Sequence, residues 1–102
     1  MIYRIQEMRR TNEFAQWLKR LKDAKAKARI ELRIDRIELT GNLGDFKSVG
    51  DGVYELRVDY GPGYRIYYAW RGEAMVLLLM GGDKSSQAHD IVRAKRLNEQ
   101  YL

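Results

Sequence analysis

The chain predicts an α+β domain, a helical hairpin packed on a mostly antiparallel β-sheet and followed by a C-terminal helix, in the order β-α-α-β-β-β-β-α. Three observations predict it. Apolar and alternating runs between Phe46 and Lys84 are punctuated by glycine, the pattern of an antiparallel meander. Two stretches between Asn12 and Thr40 repeat apolar residues at helical spacing, and a third follows Ser86. The 102 residues suit one domain, 1–102, with one modest core, and a hydrophobic fraction of 45% argues for a folded globule.

Ile2 to Gln6 reads as a first strand. Thr11 or Asn12 is a helix N-cap, and Phe14, Trp17, Leu18 and Leu21 follow at i, i+3, i+4 and i+7, predicting a helix from Asn12 to Leu21. Lys22-Asp23 breaks the stripe. A second helix runs from Ala24 to Thr40 with Ala26, Ile30, Ile34 and Ile37 buried, and Gly41 stops it. Its cations, Lys25, Lys27, Arg29, Arg33 and Arg36, read first as a solvated face, because Glu31, Asp35 and Glu38 are interleaved.

Gly41 to Gly44 leads into the sheet, whose strands are Phe46–Val49, Val53–Tyr60, Tyr64–Trp70 and Ala74–Met80. Turns fall at Gly50–Gly52, at Gly61–Gly63 and around Gly72, since glycine accepts the positive φ of tight hairpins. A three-residue loop at Gly61–Gly63 pairs Tyr60 with Tyr64, Val58 with Ile66, Leu56 with Tyr68 and Tyr54 with Trp70 on a core face. The opposite face then pairs Asp59 with Arg65 and Arg57 with Tyr67, and receives Val76, Leu78 and Met80 as a mixed surface. Ala74 to Met80 is apolar throughout, which predicts a strand covered on both sides. A three-residue loop at Gly50–Gly52 puts Phe46 on the Leu56 face and Lys47 opposite Glu55; a two-residue Asp51-Gly52 turn would reverse both. Ser85 or Ser86 caps a last helix, Gln87 to Glu99, with Ile91, Ala94 and Leu97 on one side.

Composition removes several chemistries. There is no cysteine, so no disulfide or thiol catalysis, which fits a reducing cytoplasm. One histidine, His89, supports neither zinc spacing nor paired-imidazole catalysis, and a lone histidine early in a helix is more often a surface residue. No carboxylate group suggests metal-dependent phosphoryl chemistry, and no cofactor motif is present. Neither a signal-peptide core nor a run of roughly 20 apolar residues appears, so no membrane partner is expected. The net charge of +5 admits nucleic acid or an acidic protein as partner.

What remains is a basic cluster. Arg57 and Arg65 share one sheet face, Lys84 leaves the strand beside Arg65, and Lys47 arrives from the other side. Guanidinium forks and ammonium groups hold phosphate oxygens, and Tyr67 nearby would stack on a base. The same residues also read as ion pairs, Arg65 with Asp59 and Arg57 with Glu55, and the residues alone leave both readings open.

Phe14–Asp23, Gly41-Asn-Leu-Gly-Asp45, Val49–Arg57, Tyr60-Gly-Pro-Gly-Tyr-Arg-Ile-Tyr-Tyr68 and Leu79-Met-Gly-Gly-Asp-Lys84 together resemble the RelE/ParE superfamily of toxin–antitoxin toxins. Within it the resemblance is to the HigB-like, phage-derived addiction module killer protein group, and it covers nearly the whole chain. It implies a RelE-like fold and a cytoplasmic, metal-independent mRNA endoribonuclease acting on the ribosome. A cognate antitoxin of helix-turn-helix type would neutralise it, and operator DNA would be met only through that complex. By position the resemblance makes Arg65, Lys84 and Arg57 catalytic; Lys47, Tyr67 and His89 are the candidate RNA contacts. Two departures stand out: Asp90 occupies the place of RelE's C-terminal tyrosine, and Glu55 the place of a lysine. The ParE branch, which inhibits DNA gyrase by binding, is the alternative, and a toxin-like domain kept only as an antitoxin or operator partner is a third. The antitoxin is expected over the Arg57/Arg65 face, beside Val76, Leu78 and Met80.

Overall fold

The computed structural model describes residues 4–101. Strands β1 (Glu7–Arg10), β2 (Phe46–Gly50), β3 (Val53–Val58), β4 (Tyr64–Arg71) and β5 (Met75–Asp83) form one sheet in the order β1-β5-β4-β3-β2. β1 runs parallel to β5 and the other neighbours are antiparallel. Helices α1 (Asn12–Arg20) and α2 (Ala24–Thr40) make a hairpin on one face. A 3-10 turn, Lys84–Ser86, leads into α3 (Gln87–Gln100), which covers part of the other face.

The first strand lies later than the sequence pattern suggests. Residues 4–6 form no strand, and Ile2 lies outside the described residues. The strand is set by its neighbour: Glu7–Arg10 pairs with Met75–Leu78, although most of its side chains are polar and exposed, as an edge strand tolerates. Ile5 still packs against the hairpin core.

The helices follow their stripes. The Thr11 hydroxyl accepts from the Phe14 amide (3.0 Å) and donates to the Leu79 carbonyl (2.5 Å), so one buried side chain caps α1 and ties it to β5. Asp23 caps α2 by accepting from the Lys25 and Ala26 amides. Gly41, at φ 73°, ends it. Ala26, Ile30, Ile34 and Ile37 are buried with Phe14, Leu18, Leu56, Ile66 and Tyr68. Each buried isoleucine is worth about 1.5–3 kcal/mol, enough to hold a helix whose outer face is crowded with charge.

Two registers differ from the expected ones, and a third is reached through a different turn. Between β3 and β4 the partners are Val58 with Tyr64, Arg57 with Arg65, Leu56 with Ile66 and Glu55 with Tyr67. Asp59 and Tyr60 leave the ladder for the loop, where the Tyr60 amide bonds the Val58 carbonyl (2.9 Å) and the Gly63 amide bonds the Tyr60 carbonyl (3.1 Å). The slip is even, so side chains keep their faces and change only their partners. Between β2 and β3, Gly50 pairs with Val53 across an Asp51-Gly52 turn in which both residues have positive φ. A bulge between Ser48 and Gly50 then restores Lys47 to Glu55 and Phe46 to Leu56.

The remaining difference changes a face. A bulge in the β4–β5 ladder pairs Tyr67 with Met80 but Tyr68 with Leu78. Residues 72–74 form the turn, so Trp70 pairs with Val76 and Val76 and Leu78 join the hairpin core, whereas the bulge keeps Met80 with Leu77, Leu79, Tyr67, Val53, Ala94 and Leu97 under α3. The sheet thus has a core on each face. β5 is covered on both sides, as its composition requires, but the three residues expected beside the arginines are buried and offer no docking surface.

Gly81 and Gly82 are needed for space. A Cβ on Gly81 would lie 2.3 Å from the Trp17 ring, and one on Gly82 would lie 1.9 Å from Asp90 Oδ2. The hairpin and α3 thus close on opposite faces of one Gly-Gly step. Gly81→Ala should destabilise by about 1–3 kcal/mol, as overpacking does, and the cost should shrink when Trp17→Leu is added. Thermal unfolding of the two single variants and the double checks this. Additive losses would show that Trp17 does not set the requirement.

Candidate functional site

Arg57, Arg65 and Lys84 line one open depression of ≈ 410 Å³, with Gly61-Pro62-Gly63, Asp45 and Asp59 at its edges. β3 and β4 supply the two arginines as direct cross-strand partners. The end of β5 supplies Lys84, the first residue of the 3-10 turn. Two arginines facing across a ladder repel, so this pairing needs a counter-charge.

Glu55 supplies it. Its carboxylate is wholly buried and lies 3.4 Å from Arg57 Nε and 3.7 Å from Arg65 Nε. Its second oxygen accepts from Gln87 Nε2 at 2.8 Å. The two cations are unequal. Arg57 is 40% exposed at its side chain, Arg65 only 11%. Arg65 also donates from Nη1 to the Gly63 carbonyl (2.7 Å). Gly63, at φ 78°, has a second reason to lack a side chain: a Cβ there would stand 3.0 Å from that same guanidinium nitrogen. Arg57 is fixed at its backbone, where its carbonyl accepts from Arg33 Nη1 (2.7 Å) and its amide donates to the Asp45 carbonyl (3.0 Å). Burial draws the Arg33 pKa down, yet its guanidinium still ties α2 to the rim of the site. Lys84 is exposed and makes no ion pair among the described residues.

The expected RNA contacts separate. Lys47 is exposed opposite Glu55 on the edge strand, outside the depression. Tyr67 is fully buried beneath α3, so its ring offers no face to a base. Burial, then the charges of Glu55 and Asp90, hold its phenol far above the ordinary range, so it stays neutral. His89 is well exposed and lines a different depression with Glu13, Arg93 and Arg96. Asp90, next to it, is buried and accepts from the Ser86 hydroxyl at 2.5 Å. The anticipated Asp59–Arg65 pair is absent, because Asp59 has left the ladder; the Arg57–Glu55 pair is present.

Glu55 as the shared anchor and Gln87 as its third partner are the residues that the sequence pattern missed. A carboxylate flanked by strand residues and set between apolar neighbours, Tyr54 and Leu56, was the available signal for Glu55. Nothing marks Gln87. Among the described residues no group of three or more His, Cys, Asp or Glu is placed to hold a metal, and no helix is long and apolar enough to cross a membrane.

Residues 16–99 match the family described as Phage derived protein Gp49-like (DUF891). An uncharacterised protein of Haemophilus influenzae is 48% identical over 94 residues, 92% of this chain and 94% of that protein. The fold is similar to that of the E. coli toxin RelE, solved as an arginine-to-alanine double mutant in the free state. The TM-score is 0.67 at 13% identity, over 93% of this chain and 95% of that one.

The turn that presents Lys84 depends on Asp83, whose carboxylate accepts from the Ser85 hydroxyl (2.5 Å) and the Ser85 amide (2.8 Å). Donation by the Ser85 hydroxyl, more than any other contact, holds the Asp83 pKa below the usual carboxylate range. A depressed folded pKa stabilises above the unfolded value, about 4, and that contribution disappears as pH falls through the folded value. Asp83→Asn should therefore melt below the wild type at pH 7, with the gap closing progressively in acid as the pH falls below the ordinary carboxylate value of about 4. Melting curves across that range check it; a gap that widens in acid would contradict the assignment.

Proposed function

We propose that this chain, which belongs to the phage-derived Gp49-like family, a RelE-like toxin group, is the toxin of a type II toxin–antitoxin module. It acts in the cytoplasm as a HigB-like, ribosome-dependent mRNA endoribonuclease. A helix-turn-helix antitoxin neutralises it and links it to operator DNA. The observation that carries the reading is the convergence of Arg57, Arg65 and Lys84 on one open depression.

The chemistry follows from those cations. The RNA 2′-hydroxyl gives up its proton to water as its oxygen attacks the adjacent phosphorus, the bond from phosphorus to the 5′-oxygen breaks, and that oxygen takes a proton back from water. The products are a 2′,3′-cyclic phosphate and a 5′-hydroxyl. Charge builds on the non-bridging oxygens, where Arg65 and Lys84 stabilise it and Arg57 holds the backbone. The buried Glu55 does not reach substrate; it positions the arginines by their Nε edges. Lys47, on the neighbouring edge strand, is placed to meet RNA beyond the depression.

Lys84→Ala is the clean test of the site. Lys84 is exposed and makes no ion pair among the described residues, so stability should change by no more than about 0.5 kcal/mol, while activity should fall by about 10²-fold or more. Arg65→Ala should remove activity too, but at a cost in stability of about 1–3 kcal/mol, because Glu55 loses a buried partner. Growth arrest and melting of both variants check the contrast; a fully toxic, folded Lys84→Ala protein would remove Lys84 from the mechanism.

The reaction has its own test. Cleavage with translating ribosomes should vanish when the nucleotide 5′ of the cut carries 2′-deoxyribose, and mapped ends should carry a 5′-hydroxyl. Equal cleavage of the deoxy-substituted RNA excludes the 2′-OH route. If no RNA is cut but purified gyrase is inhibited, the endoribonuclease reading falls.

A further inference from the structure

We propose that the groove between α2 and the β3–β4 connection docks an acidic, amphipathic segment of the antitoxin; the proposal rests on the toxin reading above. With Val76, Leu78 and Met80 buried, the sheet offers no apolar patch beside its arginines, and exposed apolar surface must be sought elsewhere. It lies on α2. Leu39 is 87% exposed and Leu32 58%, more than any other large hydrophobic residue among those described. They are seven positions apart, two helical turns, and so share one stripe.

Cations flank that stripe. Arg29 and Arg36 are also seven apart and stand between the leucines and the sheet, with Lys25 a turn earlier, all exposed. The groove they border is lined by Arg29, Leu32, Arg36, Val58, Asp59 and Tyr60, with Arg33 in its wall. Its shape is held from within. Arg29 sits 4.6 Å over the Tyr60 ring, and Arg33 donates to the Arg57 and Leu43 carbonyls at 2.7 and 2.9 Å. The chemistry favours a protein over RNA. Bases stack on flat rings, but the Tyr60 ring of this groove already carries Arg29 on its face, and two exposed leucines beside a cation row suit a helix or strand with an apolar side and an acidic edge. Asp35 and Glu38 are exposed on the far side of the leucines and Asp59 on the sheet side of the groove, so an acidic edge is confined to the row of Arg29 and Arg36 between them.

The position also explains inhibition. Val58 and Asp59 line both this groove and the depression that holds Arg57, Arg65 and Lys84. A segment seated against α2 therefore stands at the rim of the cationic site and narrows access to it.

The test uses the full chain and the antitoxin encoded beside it, purified as the complex and separately. Leu32→Glu with Leu39→Glu should weaken binding by about 100-fold, and Arg36→Glu by about 10-fold with a flatter salt dependence. Arg96→Glu on α3 should change it by less than about 3-fold. Melting should be unchanged in the leucine variant, since both side chains are exposed, and growth arrest without antitoxin should persist. Wild-type affinity in the leucine variant overturns the groove. So does a groove variant that keeps antitoxin affinity but loses growth arrest, which would give the groove to RNA. A wild-type chain that forms no complex with the antitoxin overturns the toxin–antitoxin reading itself, a result distinct from both.

Discussion

Two arginines directly opposite on neighbouring strands are an unfavourable pair, and the site depends on the one buried carboxylate that makes the pair tolerable. Glu55 sits two positions before Arg57 on β3, on the same face, with Tyr67 as its cross-strand partner. A carboxylate with no access to water is costly unless its lone pairs are used. Here two guanidinium groups and the Gln87 amide surround it. Because Gln87 opens α3, the same contact fixes where that helix starts. β3, β4 and α3 thus meet at one charge, and a third arginine, Arg33, brings in α2 by holding the Arg57 carbonyl.

The rest of the architecture lets those elements approach closely enough. Trp17 comes down on Gly81 from the hairpin side and Asp90 on Gly82 from the α3 side. Gly82 is also the cross-strand partner of Arg65. The step that admits both layers therefore stands beside the site, with Asp83 and Lys84 immediately after it. That accounts for Gly81-Gly82-Asp83-Lys84 as a unit: two residues chosen for the space they leave, one that caps a turn, and one that the turn presents. None of the four needs to cradle phosphate by its backbone for the motif to make physical sense.

What was legible in the sequence is what periodicity can carry. The Ala26, Ile30, Ile34 and Ile37 stripe, the Gly41 stop and the alternation of β3 and β4 each follow from side chains along one element, and each matches the structure. What failed depends on a second element. The β3–β4 register slipped by two because Tyr60 and Gly63 bond within their own loop, a choice that alternation does not see. The β4–β5 turn spans residues 72–74, one more than the two-residue turns expected around Gly72, and β5, apolar on both faces, gives no signal of it, so Val76 and Leu78 lie on the face opposite the expected one. Tyr67 as a stacking ring failed for the same reason: its face was right, but α3 lies over it. Arg57, Arg65 and Lys84 were legible as a group because sheet parity and the Gly81-Gly82 exit place them together whatever the register. Their anchor was not, since Glu55 could as well have been a surface partner of Arg57 alone.

The difference in burial among the three cations bears on how the proposed chemistry would work. Arg65 is nearly enclosed, with Nη1 on the Gly63 carbonyl and Nε toward Glu55, so its charge is oriented before any substrate arrives. Preorganised charge of this kind lowers a barrier without reorganising during the reaction. Lys84, a flexible and strongly hydrated ammonium at the mouth, can follow a phosphate as its geometry changes. Arg57 lies between these extremes, anchored through Nε and its backbone but half in solvent. Enclosure therefore graduates from Arg65 through Arg57 to Lys84. A phosphodiester entering the depression would meet mobile charge first and fixed charge last, the order expected when loose capture precedes tight stabilisation of the transition state.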